Sequence, residues 1–168
     1  FISTIARDVT ERKRAEESLR KSEEHLRLAL DSAGMGTWEW EGGTNRIRWS
    51  DFCERTLQVP PGILPDTHLA YLDLVHPEDR DAVLAVMEAA LRSDAAHCST
   101  EHRIVSNNMI FWIEARGRVY RDASGRPLRI DGTVLNITVR RENEEVLRKI
   151  AGISISTGDK FLRSGAEH

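Results

Sequence analysis

The chain has 168 residues, of which 40% are hydrophobic and 30% are charged, with a formal net charge of −3. This length suits one domain of ordinary size with flanking helices, and the slightly acidic balance argues against a nucleic-acid footprint. No apolar run in the sequence is long enough to span a membrane. Two cysteines are too few for a disulfide framework, which favours a reducing cytoplasm. We expect a chain that begins at Phe1 without Met to be a fragment of a longer protein.

A short motif occurs twice, about one domain length apart. The segment Asp8–Arg12 (DVTER) is similar to Asn136–Arg140 (NITVR), and both are followed by related charged sequence. In that register, Glu, Leu, Arg and Lys residues of the first copy face identical residues of the second. The repeat is typical of an array of modules joined by helices. It predicts that residues 1–11 end a preceding module, with Phe1–Ala6 as the last piece of its strand.

A linker helix is predicted over residues 12–33. Small and apolar residues recur at alternating spacings of four and three, as in the seam of a coiled coil. The residues that we assign to a dimer seam are Ala15, Leu19, Leu26 and Ala33. The alternative is a solvated surface helix that packs on its own domain. Gly34 is predicted to end this helix.

A hairpin of two strands follows the linker helix. Thr37–Glu41 alternates between polar and tryptophan residues, so Trp38 and Trp40 share one face of a strand. Ile47 and Trp49 then share a face of the partner strand. A turn lies at Gly42-Gly43 or at Thr44-Asn45, and a short capped helix through Leu57 is predicted next.

A longer helix and three more strands complete the predicted domain. His76-Pro77 is predicted to start the helix, whose apolar face includes Val83, Val86, Met87 and Ala90. Strands are predicted over residues 98–106, 109–121 and 127–138, separated by Asn-rich and Gly-containing turns. The order of elements predicts an α+β domain with an antiparallel sheet and helices on one face. A C-terminal linker helix is predicted over residues 139–168, toward a downstream domain, with Gly152 and Gly158 weakening it.

Seven motifs between residues 34 and 138 occur in the order typical of one known family. They are Gly36–Trp40, Trp49-Ser50, Val75–Arg80, Glu101–Ile104, Phe111–Ile113, Asp122–Pro127 and Gly132–Thr138. Residues 34–138 resemble a PAS domain with its C-terminal PAC portion. The resemblance implies a five-stranded antiparallel sheet and helices around a pocket. The closing motif of the family is usually Asp-Ile-Thr, and here Asn136 replaces the acid.

The resemblance also implies a function in signalling. Repeated PAS modules with such linkers resemble those upstream of histidine kinases or diguanylate cyclases. We therefore expect a non-enzymatic cytoplasmic module that senses or relays a signal and forms a homodimer through its flanking helices and sheet face. Its other expected partners are an adjacent PAS module and a downstream output domain, with no nucleic-acid or membrane contact. Two signal-relay junctions are expected, at Asn136, Ile137 and Thr138 and at Asp8, Val9 and Thr10.

The sequence contains candidates for a ligand site. By face assignment, Trp38, Trp49, Met87 and Trp112 are the candidates, for an unknown small ligand rather than a cofactor. The alternative is a heme- or flavin-binding sensor. Family members that bind heme use a histidine on the helix face that here carries no histidine.

Histidine and cysteine residues outside that helix face favour structural roles. His76 is expected to serve as a structural residue at a helix start. Cys98 and His102 share a strand face while His97 points away, and two ligands do not form a zinc site. Cys53 is expected to be a buried, inert thiol, since its surroundings do not match the motif of photoreactive cysteines. No catalytic constellation is present in the sequence.

Overall fold

The computed structural model describes the backbone of residues 2–164 and the side chains of Val9 and residues 11–151. Five helices and five strands follow one another within these residues, together with a 3₁₀ turn at Pro77–Asp79 before α4. They are α1 (Ile2–Ser32), β1 (Met35–Glu41), β2 (Arg46–Trp49), α2 (Cys53–Leu57), α3 (His68–Tyr71), α4 (Arg80–Arg92), β3 (His97–Ser106), β4 (Met109–Arg121), β5 (Pro127–Asn136) and α5 (Thr138–Ser164). None of the helices between residues 2 and 164 combines the length and the apolar character that crossing a membrane requires.

The five strands form one antiparallel sheet in the order β2-β1-β5-β4-β3. The last strand of the chain therefore lies at the centre of the sheet, between the first and the fourth. This arrangement confirms the predicted α+β class. It also places the end of β5, from which α5 continues, next to the middle of β4, where Ile113 pairs with Asn136.

The core lies between one face of the sheet and the helices α2, α3 and α4. Alternate residues of the strands point into it, and Ile104, Ile113 and Val134 are almost completely buried there. From the helices, Leu57 and Val83 complete this packing. The predicted apolar face of α4 is thus the face that covers the sheet.

The N-terminal prediction of a strand is wrong. Residues 2–6 belong to α1, which runs without interruption from Ile2 to Ser32. A strand needs a partner strand for its backbone hydrogen bonds, whereas a helix satisfies them within its own segment. No strand within the described residues pairs with this part of the chain, so a helix is the conformation that its backbone can complete. The predicted helix start at residue 12 is therefore too late.

The helix ends follow local rules that the sequence contains. Gly34 adopts a positive φ of 68°, and its N–H donates to the carbonyl of Asp31, which ends α1 as predicted. His76 precedes the 3₁₀ turn, and its Nδ1 accepts a hydrogen bond from the Glu78 N–H at 3.3 Å. The predicted structural role of His76 is therefore a cap. At the other end of the domain, α5 continues to Ser164 despite its two glycines.

Candidate functional site

A cavity of about 90 Å³ lies in the core between the inner face of the sheet and helices α3 and α4. Its wall is almost entirely apolar. The ring-bearing residues Trp38, Trp40, Trp49 and Tyr71 line it, and the largest aliphatic residues are Ile47, Met87, Leu91 and Ile130. No charged side chain lines it. The cavity therefore provides an environment for an uncharged, largely hydrophobic group.

The Trp38 side chain lies across two glycines of the neighbouring strands. Register pairs Trp38 with Gly132 on β5, Gly132 with Gly117 on β4, and Gly117 with Cys98 on β3. A Cβ atom on Gly132 would overlap the indole ring and the Arg116 carbonyl oxygen. A Cβ atom on Gly117 would lie 3.0 Å from that ring and 2.9 Å from the sulfur of Cys98. The two glycines thus leave the space that lets the indole lie flat along the cavity wall.

The three indoles of the cavity have their N–H groups occupied by the protein. Trp38 Nε1 donates to the Thr133 carbonyl at 3.2 Å, Trp40 Nε1 donates to Asn45 Oδ1 at 2.9 Å, and Trp49 Nε1 donates to the Pro65 carbonyl at 2.7 Å. These bonds fix the orientation of the rings. The tryptophans therefore contribute carbon surface to the cavity.

Two histidines outside the predicted ligand set, His68 and His102, also line the cavity. His102 on β3 is 2% exposed, and its Nε2 is 3.0 Å from the hydroxyl of Tyr71. Its Nδ1 is buried without a hydrogen-bond partner among the described residues, as is the Nδ1 of His68 on α3. Alternation along β3 placed His102 on the same face as Cys98, but only the position of α3 shows that this face meets a cavity.

Burial sets the charge state of these groups. Desolvation lowers the pKa of His102 to about 4, against a smaller opposite effect of the Asp79 carboxylate. Desolvation also lowers the pKa of His68 and raises the pKa of the Tyr71 hydroxyl. His102, His68 and Tyr71 are thus neutral at pH near 7. Each neutral imidazole presents one N–H donor and one nitrogen acceptor.

The structure brings three of the four predicted ligand-site residues together. Trp38, Trp49 and Met87 all line the cavity. Trp112 does not, and its assignment to the site is wrong. Its neighbours Phe111 and Ile113 are buried in the core, so alternation along β4 turns the Trp112 side chain to the opposite face of the sheet.

Trp112 instead lies among charged side chains on the outer face of the sheet. The guanidinium of Arg141 is 4.7 Å from the centre of the Trp112 ring, and that of Arg103 is 5.6 Å away. Arg103 also pairs with Asp79 at 2.6 Å, before α4. This ion pair lowers the pKa of Asp79 to about 2, chiefly through its hydrogen bonds from Arg103. Trp112 therefore connects α4, β3 and α5.

The predicted junction between β5 and α5 makes a set of specific hydrogen bonds. Asn136 Oδ1 accepts from the Thr138 N–H at 3.0 Å, and Asn136 Nδ2 donates to the Thr56 carbonyl of α2 at 3.3 Å. The Ile137 N–H donates to the Trp112 carbonyl at 2.8 Å, and the Trp112 N–H donates to Thr138 Oγ1 at 2.9 Å. The Asn at position 136 thus uses an N–H donor that an aspartate would lack.

The other predicted junction and the dimer seam lie in α1. Asp8, Val9 and Thr10 are helical rather than at a strand end; Val9 is exposed, while the side chains of Asp8 and Thr10 lie outside the described residues. Of the seam residues, Ala15, Leu19 and Leu26 are exposed on α1, and Ala33 is exposed just beyond its end. The seam is therefore accessible, and its pairing stays a prediction.

The predicted ligand alternatives, a metal or a heme or flavin cofactor, depend on histidine and cysteine positions. No group of three or more metal-ligating side chains occurs among the described residues. Val83, Val86, Met87 and Ala90 of α4 line the cavity without a histidine. Whether the domain binds a cofactor stays a prediction.

Comparison with known proteins identifies the family. A family model described as PAS fold matches residues 46–134, more than half of the chain. The chain belongs to the PAS-fold family. A crystal structure of a sensory box histidine kinase/response regulator from Burkholderia thailandensis E264 is similar, with 27% identity and a TM-score of 0.63 over 79% of this chain and 98% of that chain. These findings confirm the predicted fold and a PAS sensory domain.

Two full-length relatives show where such domains occur. The probable diguanylate cyclase DgcE of Escherichia coli (strain K12) is 30% identical to this chain over 88% of the chain's length. The sensor protein FixL of Bradyrhizobium diazoefficiens is 26% identical over 74% of it. The chain spans only 13% and 25% of these two proteins. The shared part is thus a sensory domain of signalling proteins that are much longer.

Proposed function

We propose that this PAS domain relays a change in its cavity to α5 through the junction of Asn136, Ile137 and Thr138. The domain performs no catalysis and acts on an output domain of the histidine kinase or diguanylate cyclase type within a longer, cytoplasmic protein. The hydrogen bonding of the junction is the observation that carries this proposal. The two relatives named above support the proposal that this domain acts within a longer signalling protein, because each of them contains a similar domain in a longer chain.

One route from the cavity to α5 runs along β5. Val134 lines the cavity, and Asn136 lies two residues further along the same strand. Asn136 bonds both to the Thr56 carbonyl in α2 and to the Thr138 N–H in α5. A shift of β5 or α2 therefore changes the geometry at the first turn of α5.

A second route crosses the sheet at β3. His102 lines the cavity, and the next residue, Arg103, lies over the Trp112 ring on the outer face. On the other side of His102, Glu101 pairs with Arg140 at 2.7 Å and also with Arg141. Displacement of the β3 backbone at His102 thus moves charged contacts on the first two turns of α5.

A signal needs two states that differ in their contacts. A ligand shifts such an equilibrium only by its difference in affinity for the two states. We propose that the states differ in the position of α5 relative to Trp112 and that pairing of the flanking helices in a homodimer passes this difference onward. Exposed Leu19 and Leu26 on α1 and Leu147 and Ile150 on α5 support such pairing.

Overpacking the cavity in the absence of ligand tests the relay. We expect Met87→Trp, a half-buried change on α4, to alter hydrogen–deuterium exchange of residues 138–145 by about threefold or more. Met109→Trp is the matched control, because Met109 is 53% exposed at the start of β4. A folded Met87→Trp variant with unchanged exchange in α5 would contradict the relay.

A second experiment tests whether the domain carries a resident cofactor. We propose that it carries none, which the size of the cavity supports. Native mass spectrometry should then give a mass that equals a whole number of denatured chains. Additional mass that is lost on denaturation would contradict this part of the proposal and would begin to identify the bound group.

A further inference from the structure

We propose that Glu101 on β3 fixes the rotation of α5 about its own axis by holding both Arg140 and Arg141. We propose further that α5 is released when Arg140 exchanges Glu101 for Glu144, an acid within α5 itself. This inference rests on the proposed function, because it assigns a positioning residue to the movement of α5. One acid on the sheet and one acid on the helix thus compete for the same arginine.

Glu101 uses both oxygens of its carboxylate on α5. Its Oε1 accepts a hydrogen bond from Arg140 Nη2 at 2.7 Å, and its Oε2 accepts one from Arg141 Nη2. The Glu101 side chain is only 31% exposed, so these ion pairs are partly shielded from water and salt. Successive residues of a helix point about 100° apart around its axis. One carboxylate that holds two successive residues therefore fixes the rotation of α5 as well as its distance from β3.

Arg141 depends on Glu101 for its charge balance. The guanidinium groups of Arg141 and Arg103 lie 4.7 Å and 5.6 Å from the centre of the Trp112 ring. Arg103 pairs with Asp79 at 2.6 Å. Among the described residues, Arg141 pairs only with Glu101. Two guanidinium groups beside one ring repel each other once either loses its acid. Neutralising Glu101 should therefore move Arg141 away from Trp112.

Arg140 has a second acid within reach, one helical turn further along α5. Its Nε is 3.9 Å from Glu144 Oε1, compared with 2.7 Å between its Nη2 and Glu101. In the repeated motif, Arg12 and Glu16 of α1 correspond to Arg140 and Glu144. The pair on α1 is closer, with 3.0 Å between Arg12 Nε and Glu16 Oε1. Glu101 thus holds Arg140 away from the partner within the helix that Arg12 keeps.

The exchange of partners gives α5 two states. In the docked state Glu101 holds both arginines, and in the released state Arg140 pairs with Glu144 while Arg141 is solvated. Partly exposed ion pairs of this kind differ little in free energy, so a small displacement of β3 is enough to select between the states. His102 follows Glu101 directly on β3 and lines the cavity. A change in the cavity that displaces β3 therefore acts on the partner of Arg140.

Residual dipolar couplings of the amide groups in residues 138–146, measured in the full chain, test this positioning. In a helix the couplings oscillate with the helical period, and the phase of the oscillation reports rotation about the axis. In Glu101→Gln, the amide keeps one acceptor oxygen and so holds only one of the two arginines. We expect the phase to shift, or the amplitude to fall by about half, because α5 then reorients relative to the sheet. An unchanged oscillation in Glu101→Gln overturns the proposal.

Two further substitutions separate this positioning from a general effect of charge. Glu39→Gln removes an acid of similar exposure, 35%, that pairs with Arg48 at 2.6 Å between β1 and β2, and it should leave the couplings of α5 unchanged. Glu144→Gln removes the competing acid and should keep the wild-type phase. Equal changes in Glu101→Gln and in either of these variants overturn the proposal. Where Glu101→Gln does not fold, Arg141→Gln removes the same contact from the helix, and an unchanged oscillation there is equally decisive against the proposal.

Failure of this positioning and failure of the relay give different results. The exchange experiment with Met87→Trp leaves Glu101 and both arginines in place. If α5 responds to Met87→Trp but Glu101→Gln leaves the dipolar couplings unchanged, Glu101 does not position α5 and the relay stands. If Glu101→Gln releases α5 but α5 does not respond to Met87→Trp, the relay is wrong.

Discussion

Trp38 can line the cavity only because positions 132 and 117 lack a side chain. In Gly132→Ala the new methyl group would meet both the indole ring and the Arg116 carbonyl oxygen, and the backbone cannot yield as a side chain can. We expect the free energy of unfolding to fall by about 2–3 kcal/mol in chemical denaturation. Gly43→Ala is the control, because a Cβ there meets nothing within 4 Å, and it should change stability by less than about 0.5 kcal/mol. Equal stability of the two variants would refute this account of Trp38.

The depressed pKa of His102 makes the stability of the domain depend on pH. The unfolded chain binds a proton at this histidine below about pH 6.5, whereas the folded protein does so only near pH 4. The contribution of neutral His102 to the free energy of unfolding is therefore complete above pH 6.5 and is lost as the pH falls toward 4. Integrated between pH 7 and pH 5, the loss is about 2 kcal/mol. His68, whose pKa is also lowered, acts in the same direction.

His102→Gln isolates this effect, because an amide can still bond to the Tyr71 hydroxyl but does not titrate. When the pH is lowered from 7 to 5, the free energy of unfolding in urea should fall by about 2 kcal/mol more for the wild-type protein than for the variant. Asp79, the nearby carboxylate, has a pKa of about 2 and so stays ionised in both proteins across this range. Parallel losses in the two proteins would show that His102 does not carry the dependence.

At the scale of elements, one hydroxyl group forms the hydrogen bond between β4 and the first residue of α5. The Trp112 N–H donates to Thr138 Oγ1 at 2.9 Å, and Thr138→Val keeps the shape of the side chain but removes this acceptor. We expect a loss of about 1–2 kcal/mol in unfolding free energy and faster exchange of the amide protons in the first turn of α5.

Thr133→Val is the control for that prediction. Thr133 is half-buried on the neighbouring strand β5, and among the described contacts its hydroxyl makes no hydrogen bond. Loss of the hydroxyl in Thr133→Val should therefore leave amide exchange in the first turn of α5 unchanged. If both variants accelerated exchange in α5 to the same extent, the bond between Trp112 and Thr138 would not be the link.

The sequence was most informative about elements whose signal is local. Alternation placed Trp38 and Trp49 on the inner face correctly, and the capping signals at Gly34 and His76 were correct as well. Alternation within β4 shows that Trp112 faces away from its neighbours Phe111 and Ile113, but only the packing of β4 against the core shows which of the two faces is inside. Tyr71 and His68 were missed because the short helix α3 has no periodicity to reveal which residues it buries.

At the scale of the whole molecule, α1 presents an exposed seam that the domain itself does not cover. Leu19 is 61% exposed, whereas Leu26, at 62%, also lines a groove with Met35 and Phe52 of the domain. Leu19 is thus the better probe of association between chains. Apolar side chains that repeat at this spacing gain stability chiefly by packing against a second helix.

We expect Leu19→Asp to weaken self-association at least tenfold in sedimentation equilibrium, because it places a charge in the seam of the paired helices. Leu69→Asp, on α3, introduces the same charge at a position of similar exposure, 59%, and should leave association unchanged. Since both sites are solvent-exposed within one chain, the fold of the monomer should tolerate either change. A dimer that survives Leu19→Asp would place the interface elsewhere, with the outer face of the sheet as the next surface to test, and the signal from α5 would then have to pass between chains without pairing of α1.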